Sequence, residues 1–125
     1  MKKFESIIIN FVNANQQRYD TLGDYYIKNG QLYIKITKHM TYTYGKVVRN
    51  HFFEFLILIH EIVEVLLVIA RNISIEKIDL FDLNYQGDGE PGDEKKAPYR
   101  KEHQFATKIE KMMAKELKVH WDEYN

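Results

Sequence analysis

The 125-residue sequence predicts an α+β fold, because its first half has strand patterns and its second half has helix patterns. Asn29 and Gly30 separate two alternating apolar runs, which is the strongest short-range signal for a β-hairpin. A long apolar stretch without Gly or Pro follows, from about Lys46 to Arg71. After Pro98, apolar residues recur at helical spacing. Together these patterns predict a small N-terminal sheet packed on a long central helix and two further helices.

The strands are short and rich in β-branched and aromatic residues. Residues 5–12 form the first run, and residues 25–27 and 32–36 flank the predicted hairpin. The simplest arrangement of three such strands is an antiparallel sheet, whose apolar face needs a cover to be stable. We expect the central helix to provide that cover.

Two shorter helices are predicted after the central one. Ser74 is a suitable N-cap for the first, with Glu76 in its opening turn. Residues 85–97 contain three glycines and a proline and are predicted as a surface loop. Pro98 suits the first turn of the last helix. The residues predicted to face the core from this helix are Phe105, Ala106, Ile109, Met112, Met113 and Leu117.

Composition limits the possible functions. The chain has 18 basic and 18 acidic residues, so it gives no strong nucleic-acid signal. Its length suits one domain over residues 1–125. The absence of cysteine excludes disulfides and thiolate metal sites, and it fits a reducing cytoplasm. Any metal ion would therefore be bound by His, Asp and Glu.

The central stretch is nearly long enough to span a membrane. Residues 52–70, however, include Glu54, His60, Glu61 and Glu64. Each carboxylate at the centre of a membrane helix costs about 2.5–3.5 kcal/mol on insertion scales. We therefore interpret the stretch as a buried helix and expect no membrane association.

The His60-Glu61-Ile62-Val63-Glu64 segment on this helix is the main functional signal. Positions 60 and 64 lie about 40° apart around a helix, one turn apart, so both side chains can reach one ion. An unpaired carboxylate is costly to bury, so each acidic group needs a partner, a proton or a metal ion. The alternative is a hydrogen-bonded His60–Glu64 core pair with Glu61 in solvent.

This segment resembles the His-Glu-x-x-His helix of the zincin metallopeptidases, with Glu64 in place of the second His. The resemblance implies that His60 and Glu64 bind zinc and that Glu61 is the general base that polarises the attacking water. Glu at the second ligand position departs from the usual family pattern. The resemblance covers five residues.

His103, near the start of the last helix, is the best third ligand. It would complete a set of two His and one Glu and leave a fourth position for water. The alternative is a surface histidine. Glu102 is a reserve ligand, because it points closer to the centre of the predicted apolar face.

Asp79 and Asp82, one turn apart on the short helix, are candidates to orient a ligand imidazole, with Asp82 nearer to the site. They could equally be solvated. Residues 87–93 resemble a calcium loop only in composition and lack EF-hand spacing. We interpret them as a surface loop that could cover the site.

A wider resemblance joins several segments. The chain is similar to a group of small uncharacterised bacterial and phage proteins, through residues 17–24, 60–64, 79–82, 90–93, 97–99 with His103, and 120–124. That resemblance implies one α+β domain and a phage or prophage origin. It implies no activity.

The sequence therefore predicts a zincin-like metal-binding protein that could be a small metal-dependent hydrolase. Zn²⁺ is favoured by the imidazoles, and Mn²⁺ or Fe²⁺ would suit a site with extra carboxylates. One alternative is a non-enzymatic phage or bacterial protein that binds or inhibits a host protein through its tyrosine-rich sheet. Another is an all-α nucleotide pyrophosphohydrolase, which the strands argue against. The substrate or host partner is not predicted, and a homodimer is compatible with so apolar a centre.

Overall fold

The computed structural model of the protein describes residues 4–124 and confirms the α+β class. Two 3₁₀ turns, Ala14–Gln16 and Pro91–Asp93, lie in the connections. The strands are β1 Ser6–Val12, β2 Gly23–Lys28, β3 Gln31–Thr37, β4 Met40–Thr43 and β5 Lys46–Arg49. The helices are α1 His51–Ala70, α2 Ile75–Asn84, α3 Arg100–Glu116 and the single turn α4 Trp121–Tyr124.

The main sheet is mixed, which corrects the predicted antiparallel arrangement. Its order is β1-β3-β2, with β2 antiparallel and β1 parallel to β3. The predicted hairpin is confirmed, since Asn29 and Gly30 both have positive φ, 52° and 74°. β1 and β2 lie on opposite sides of β3, and β1 ends at the same end of the sheet where β2 begins, so the connection between them passes across the end of β3. The chain reverses direction between β1 and β2 and again between β2 and β3, so β1 and β3 run parallel.

β3 is the central strand of this sheet and the most buried of the strands. Leu32, Ile34 and Ile36 are fully buried, and they pack with residues of α1 such as Val65 and Val68. The predicted cover of the sheet by the central helix is therefore confirmed. Of the helices within residues 4–124, none is long and apolar enough to cross a lipid bilayer.

The central helix begins later than predicted. Residues 46–49 form a strand, paired with β4 around a turn in which Tyr44 and Gly45 have positive φ. Asn50 ends this hairpin and caps α1 by accepting a hydrogen bond from the backbone N–H of Phe53 at 3.1 Å. Buried Glu54 then accepts a hydrogen bond from the backbone N–H of His39 and pairs with Arg49, so the second hairpin is attached to α1.

Ser74 caps α2 as predicted, through the backbone N–H of Lys77. The predicted core face of α3 was wrong for Phe105, Met112 and Met113, which are 37–60% exposed, and right for Ala106, which is fully buried. The face that packs on α1 carries Glu102, His103, Ala106, Glu110 and Ala114. Two of these residues are alanines, which permit close approach of the helices, and the others are polar.

Candidate metal centre

His60 and Glu64 lie in the middle of α1, on the side that faces α3, and are only 7% and 4% exposed. Their one-turn spacing brings the Nε2 atom of His60 to 2.9 Å from the Oε2 atom of Glu64. The helix therefore presents a nitrogen and an oxygen side by side in the interior, as the spacing predicted.

His103 completes a three-residue cluster from the first turn of α3. Its Nδ1 atom lies 2.9 Å from Oε2 of Glu64 and 3.2 Å from Nε2 of His60. The three side chains are all buried and form a group that could bind a metal ion. We call them the triad.

The triad atoms form a nearly equilateral triangle with edges of 2.9, 2.9 and 3.2 Å. Ligand atoms about 2.0–2.1 Å from a tetrahedral zinc ion lie ~3.3 Å apart. The observed edges are slightly shorter, so a small outward movement of each side chain would fit the ion. All three triad residues also line the cavity described below, so a bound ion would be accessible from that cavity.

Two carboxylates hold the far sides of the imidazoles. Nδ1 of His60 lies 2.8 Å from Oε1 of Glu110, and Nε2 of His103 lies 2.9 Å from Oε2 of Glu90. An ionised carboxylate only accepts hydrogen bonds, so both of these ring nitrogens carry protons. The opposite nitrogen of each neutral ring then directs its lone pair at the centre of the triad. This is the arrangement by which carboxylates orient zinc-binding histidines.

Tyrosines orient the carboxylates in turn. Tyr25 of β2 donates a hydrogen bond to Oε1 of Glu64 at 2.7 Å, which leaves Oε2 for the triad. Tyr124 of α4 donates to Oε2 of Glu110. The sheet and the C-terminal turn thus both support the triad, and each triad residue is held from outside by a second side chain.

The triad needs positive charge at its centre, because three lone pairs would otherwise repel one another. Without a metal ion, protons supply that charge. Burial opposes imidazolium, yet hydrogen bonds to Glu110 and Glu64 raise the pKa of His60 to about 11. Against the same cost of burial, Glu64 and Glu90 raise the pKa of His103 to about 9. Burial alone would favour neutral Glu64, but its two imidazole partners lower its pKa to about 2.

Glu61 lies beside the triad and lines the adjoining cavity. Burial, followed by the negative charge of Glu64, raises the pKa of Glu61 well above its usual range. Gly23 of β2 makes room for this carboxylate, since a Cβ atom there would lie 2.5 Å from Oε1 of Glu61. The predicted general base is therefore placed next to the predicted ligands.

Three other predicted site residues lie outside the triad. Glu102 is buried in an ion pair with Arg71, 2.6 Å from Oε2 to Nη1, so it is not a third ligand. Asp79 pairs with Arg18. Asp82 accepts a hydrogen bond from Tyr99 at 2.6 Å, and neither aspartate hydrogen-bonds an imidazole. The expected role in orienting the imidazoles belongs to Glu110 and Glu90.

The 87–93 loop does cover one side of the triad. Glu90 reaches His103, and Oδ1 of Asp93 lies 3.5 Å from the same Nε2 atom. Gly92 lies against the ring, where a Cβ atom would come within 2.4 Å of Cγ of His103. Glu90, Asp93 and His103 also form a second, more exposed group of possible ligands.

A cavity of about 510 Å³ opens beside the triad. Its wall combines apolar side chains such as Ile57 and Ile78 with tyrosines and acidic groups. Tyr99 contributes to this wall, and its ring meets the ring of His103 edge to face. A cavity of this size can hold a small ligand.

Sequence reasoning missed the four groups that orient the triad: Glu110, Glu90, Tyr25 and Tyr124. Glu110 left a usable signal, because it lies seven residues after His103 and therefore on the same helix face. The tyrosines left none, since their contacts depend on the sheet order and on the C-terminal turn.

Comparison of the chain with protein-family models, curated proteins and solved structures gives no match. The functional assignment therefore depends on the chemistry of the triad and its surroundings.

Proposed function

We propose that the protein binds a divalent metal ion through His60, Glu64 and His103 and acts as a zincin-like hydrolase. Zn²⁺ suits two imidazoles and one carboxylate, and Mn²⁺ or Fe²⁺ is the alternative. We further propose a cytoplasmic location, which fits a chain without cysteine. A phage or prophage origin remains part of this proposal.

The main support is the convergence of three possible ligand atoms in the interior, one each from His60, Glu64 and His103. The protons on the other ring nitrogens are directed at Glu110 and Glu90. A buried polar group normally has a hydrogen-bond partner, and here the inward-facing atoms have only one another. One dication satisfies all three, whereas two imidazolium ions would place two donors on the single Oε2 atom of Glu64.

The bound metal would polarise a carbonyl or phosphoryl oxygen and lower the pKa of its water toward about 7. The chain supplies the proton transfer. Glu61, beside the open side of the triad, would accept a proton from the attacking water and donate it to the leaving group. Tyr25 keeps Glu64 oriented, and the apolar side chains of the cavity limit access of bulk water.

Elemental analysis of protein purified without a histidine tag tests the metal site. We expect about one zinc, manganese or iron per chain, and loss of that metal in Glu64→Gln. Glu116→Gln is the matched control, because Glu116 is exposed on α3. Metal-free wild-type protein, or equal metal content in both variants, would contradict the proposal.

Glu61→Gln separates a catalytic site from a structural one. We expect this variant to retain the metal. Its turnover number with chromogenic amides and esters should fall by at least about 100-fold, as expected for loss of a general base. Undiminished turnover would remove Glu61 from the mechanism while leaving the metal site intact.

A protein-binding role is the second candidate, favoured by the exposed β4–β5 hairpin. Tyr42, Tyr44 and Val47 are 76%, 99% and 62% exposed there. Tyr25, in the main sheet of the same tyrosine-rich half of the chain, is instead buried. Under this alternative the triad is structural, and binding to a host protein would be lost in Tyr42→Ser with Tyr44→Ser while metal content stays unchanged.

A further inference from the structure

The cavity beside the triad is strongly acidic. Eight carboxylates line it, whereas no lysine or arginine is among the lining residues in the described part of the chain. This charge pattern differs from that of a phosphate site, which usually offers Arg, Lys or backbone N–H groups to the anion. The charge of the lining residues therefore indicates which charge the ligand should have.

Part of this negative charge is already balanced. Arg18, just outside the cavity, pairs with both Asp24 and Asp79. Glu64, Glu90 and Glu110 contact the imidazoles. A dication or two imidazolium ions at the triad would supply the same two positive charges, so negative charge exceeds positive charge in either state.

Two half-buried carboxylates lack a basic partner. Glu61 and Asp82 both line the cavity, and no lysine or arginine within residues 4–124 pairs with either of them. Asp82 is held by the hydroxyl groups of Tyr99 and Tyr19, at 2.6 and 3.5 Å. Burial, followed by the charge of Glu64, raises the pKa of Asp82 to about 6. A cationic group within a few ångströms stabilises the ionised form of such a carboxylate.

We infer that the ligand of this cavity is a small amide or ester that carries an ammonium or guanidinium group, which Asp82 attracts while the carbonyl faces the triad. This inference rests on the proposed function and specifies its substrate class. In the reaction, water adds its oxygen to the carbonyl carbon and the C–N or C–O bond breaks. One water proton passes by way of Glu61 to the leaving amine or alcohol. Phosphate esters are disfavoured, because their charge has the wrong sign.

Three hydroxamates test the inference, because they share one metal-binding group and differ only at the far end. These probes are 6-aminohexanehydroxamate, hexanehydroxamate and adipic monohydroxamate, with ammonium, methyl and carboxylate ends. On zinc-loaded protein in low salt, we expect the ammonium probe to bind at least ~10-fold more tightly than the methyl probe. We expect the carboxylate probe to bind at least ~10-fold more weakly, and high salt to reduce both differences.

Asp82→Asn should reduce the preference for the ammonium probe several-fold and leave the dissociation constant of the methyl probe unchanged. Asp122→Asn, at an exposed position on α4, is the matched control and should change neither. Equal affinity of the three probes, or tighter binding of the carboxylate probe or of inorganic phosphate, would overturn the inference and leave the metal site standing.

Two further outcomes are informative. If none of the three probes binds protein that contains zinc, the metal ion is not accessible to a ligand from the cavity, and the inference fails as well. Two metal ions per chain, one of them lost in Asp82→Asn, would assign the excess negative charge to a second ion and so overturn the cationic substrate.

Discussion

Gly92 shows how a single small residue determines the position of a triad side chain. It needs no unusual φ, but it lies so close to the ring of His103 that a methyl group would come within 2.4 Å of Cγ. Real side chains do not pack at that distance, so either the ring or the 87–93 loop would have to move. The 87–93 loop, which carries Glu90, therefore packs tightly against the His103 ring that Glu90 orients.

We therefore predict that Gly92→Ala weakens metal binding by about 10-fold or more, in the range seen when groups that orient a ligand are lost. Gly89→Ala is the control on the same loop, because its nearest neighbour would lie at an ordinary 3.9 Å. Competition with a chromophoric zinc chelator measures both affinities. Equal affinities would show that the loop can move at little cost.

The structure brings His60, Glu64 and His103 together, but only the first two are related by local spacing. His60 and Glu64 share one helix face by helix geometry alone, and His103 was chosen for its chemistry. Glu102 was a poorer choice, because it pairs with Arg71, which lies 31 positions earlier in the chain. Partners that distant depend on how helices pack, and no local pattern records them.

At the scale of elements, the helices and the first hairpin were predictable, whereas the strand order was not. Asn29-Gly30 determines its turn, but the parallel pairing of β1 depends on which edge of β3 is free. Residues 46–49 were assigned to the central helix because they continue its apolar run. The Tyr44-Gly45 turn carried only one glycine to indicate otherwise.

Helix α1 has two different faces, and a pair of variants can separate them. Leu56 is fully buried, whereas Leu66 on the same helix is 44% exposed. We predict that Leu56→Ala lowers the free energy of unfolding by about 2–5 kcal/mol, as for other buried leucines. Leu66→Ala should lower it by less than ~1 kcal/mol. Urea denaturation measures both, and a similar loss in the two variants would contradict the assigned faces.

At the scale of the whole molecule, the triad couples stability to pH in opposite directions with and without metal. In metal-free protein the pKa values of His60 and His103 are raised from 6.5 to about 11 and about 9. Their stabilising contribution is therefore complete below about pH 6.5 and is lost as pH rises through 9 to 11. The lowered pKa of Glu64 adds stability above about pH 4.5, which is lost as pH falls toward 2.

Metal binding should reverse the alkaline trend, because the ion needs both imidazoles neutral and is displaced by protons as pH falls. We predict that the difference in melting temperature between zinc-loaded and EDTA-treated protein increases from pH 6 to pH 9, by about 5 °C or more. Calorimetric scans in matched buffers measure this difference. Superimposable profiles would mean that no ion binds the folded chain.

The triad also joins parts of the chain that are far apart, since His60 of α1 and His103 of α3 are 43 positions from each other. Without cysteine, the polypeptide has no covalent cross-link of its own. A bound ion would therefore act as a reversible staple, and the lifetime of the protein in a cell would follow the local supply of metal. Starvation for that metal should expose the chain to proteases, so its abundance would report the metal status of its host.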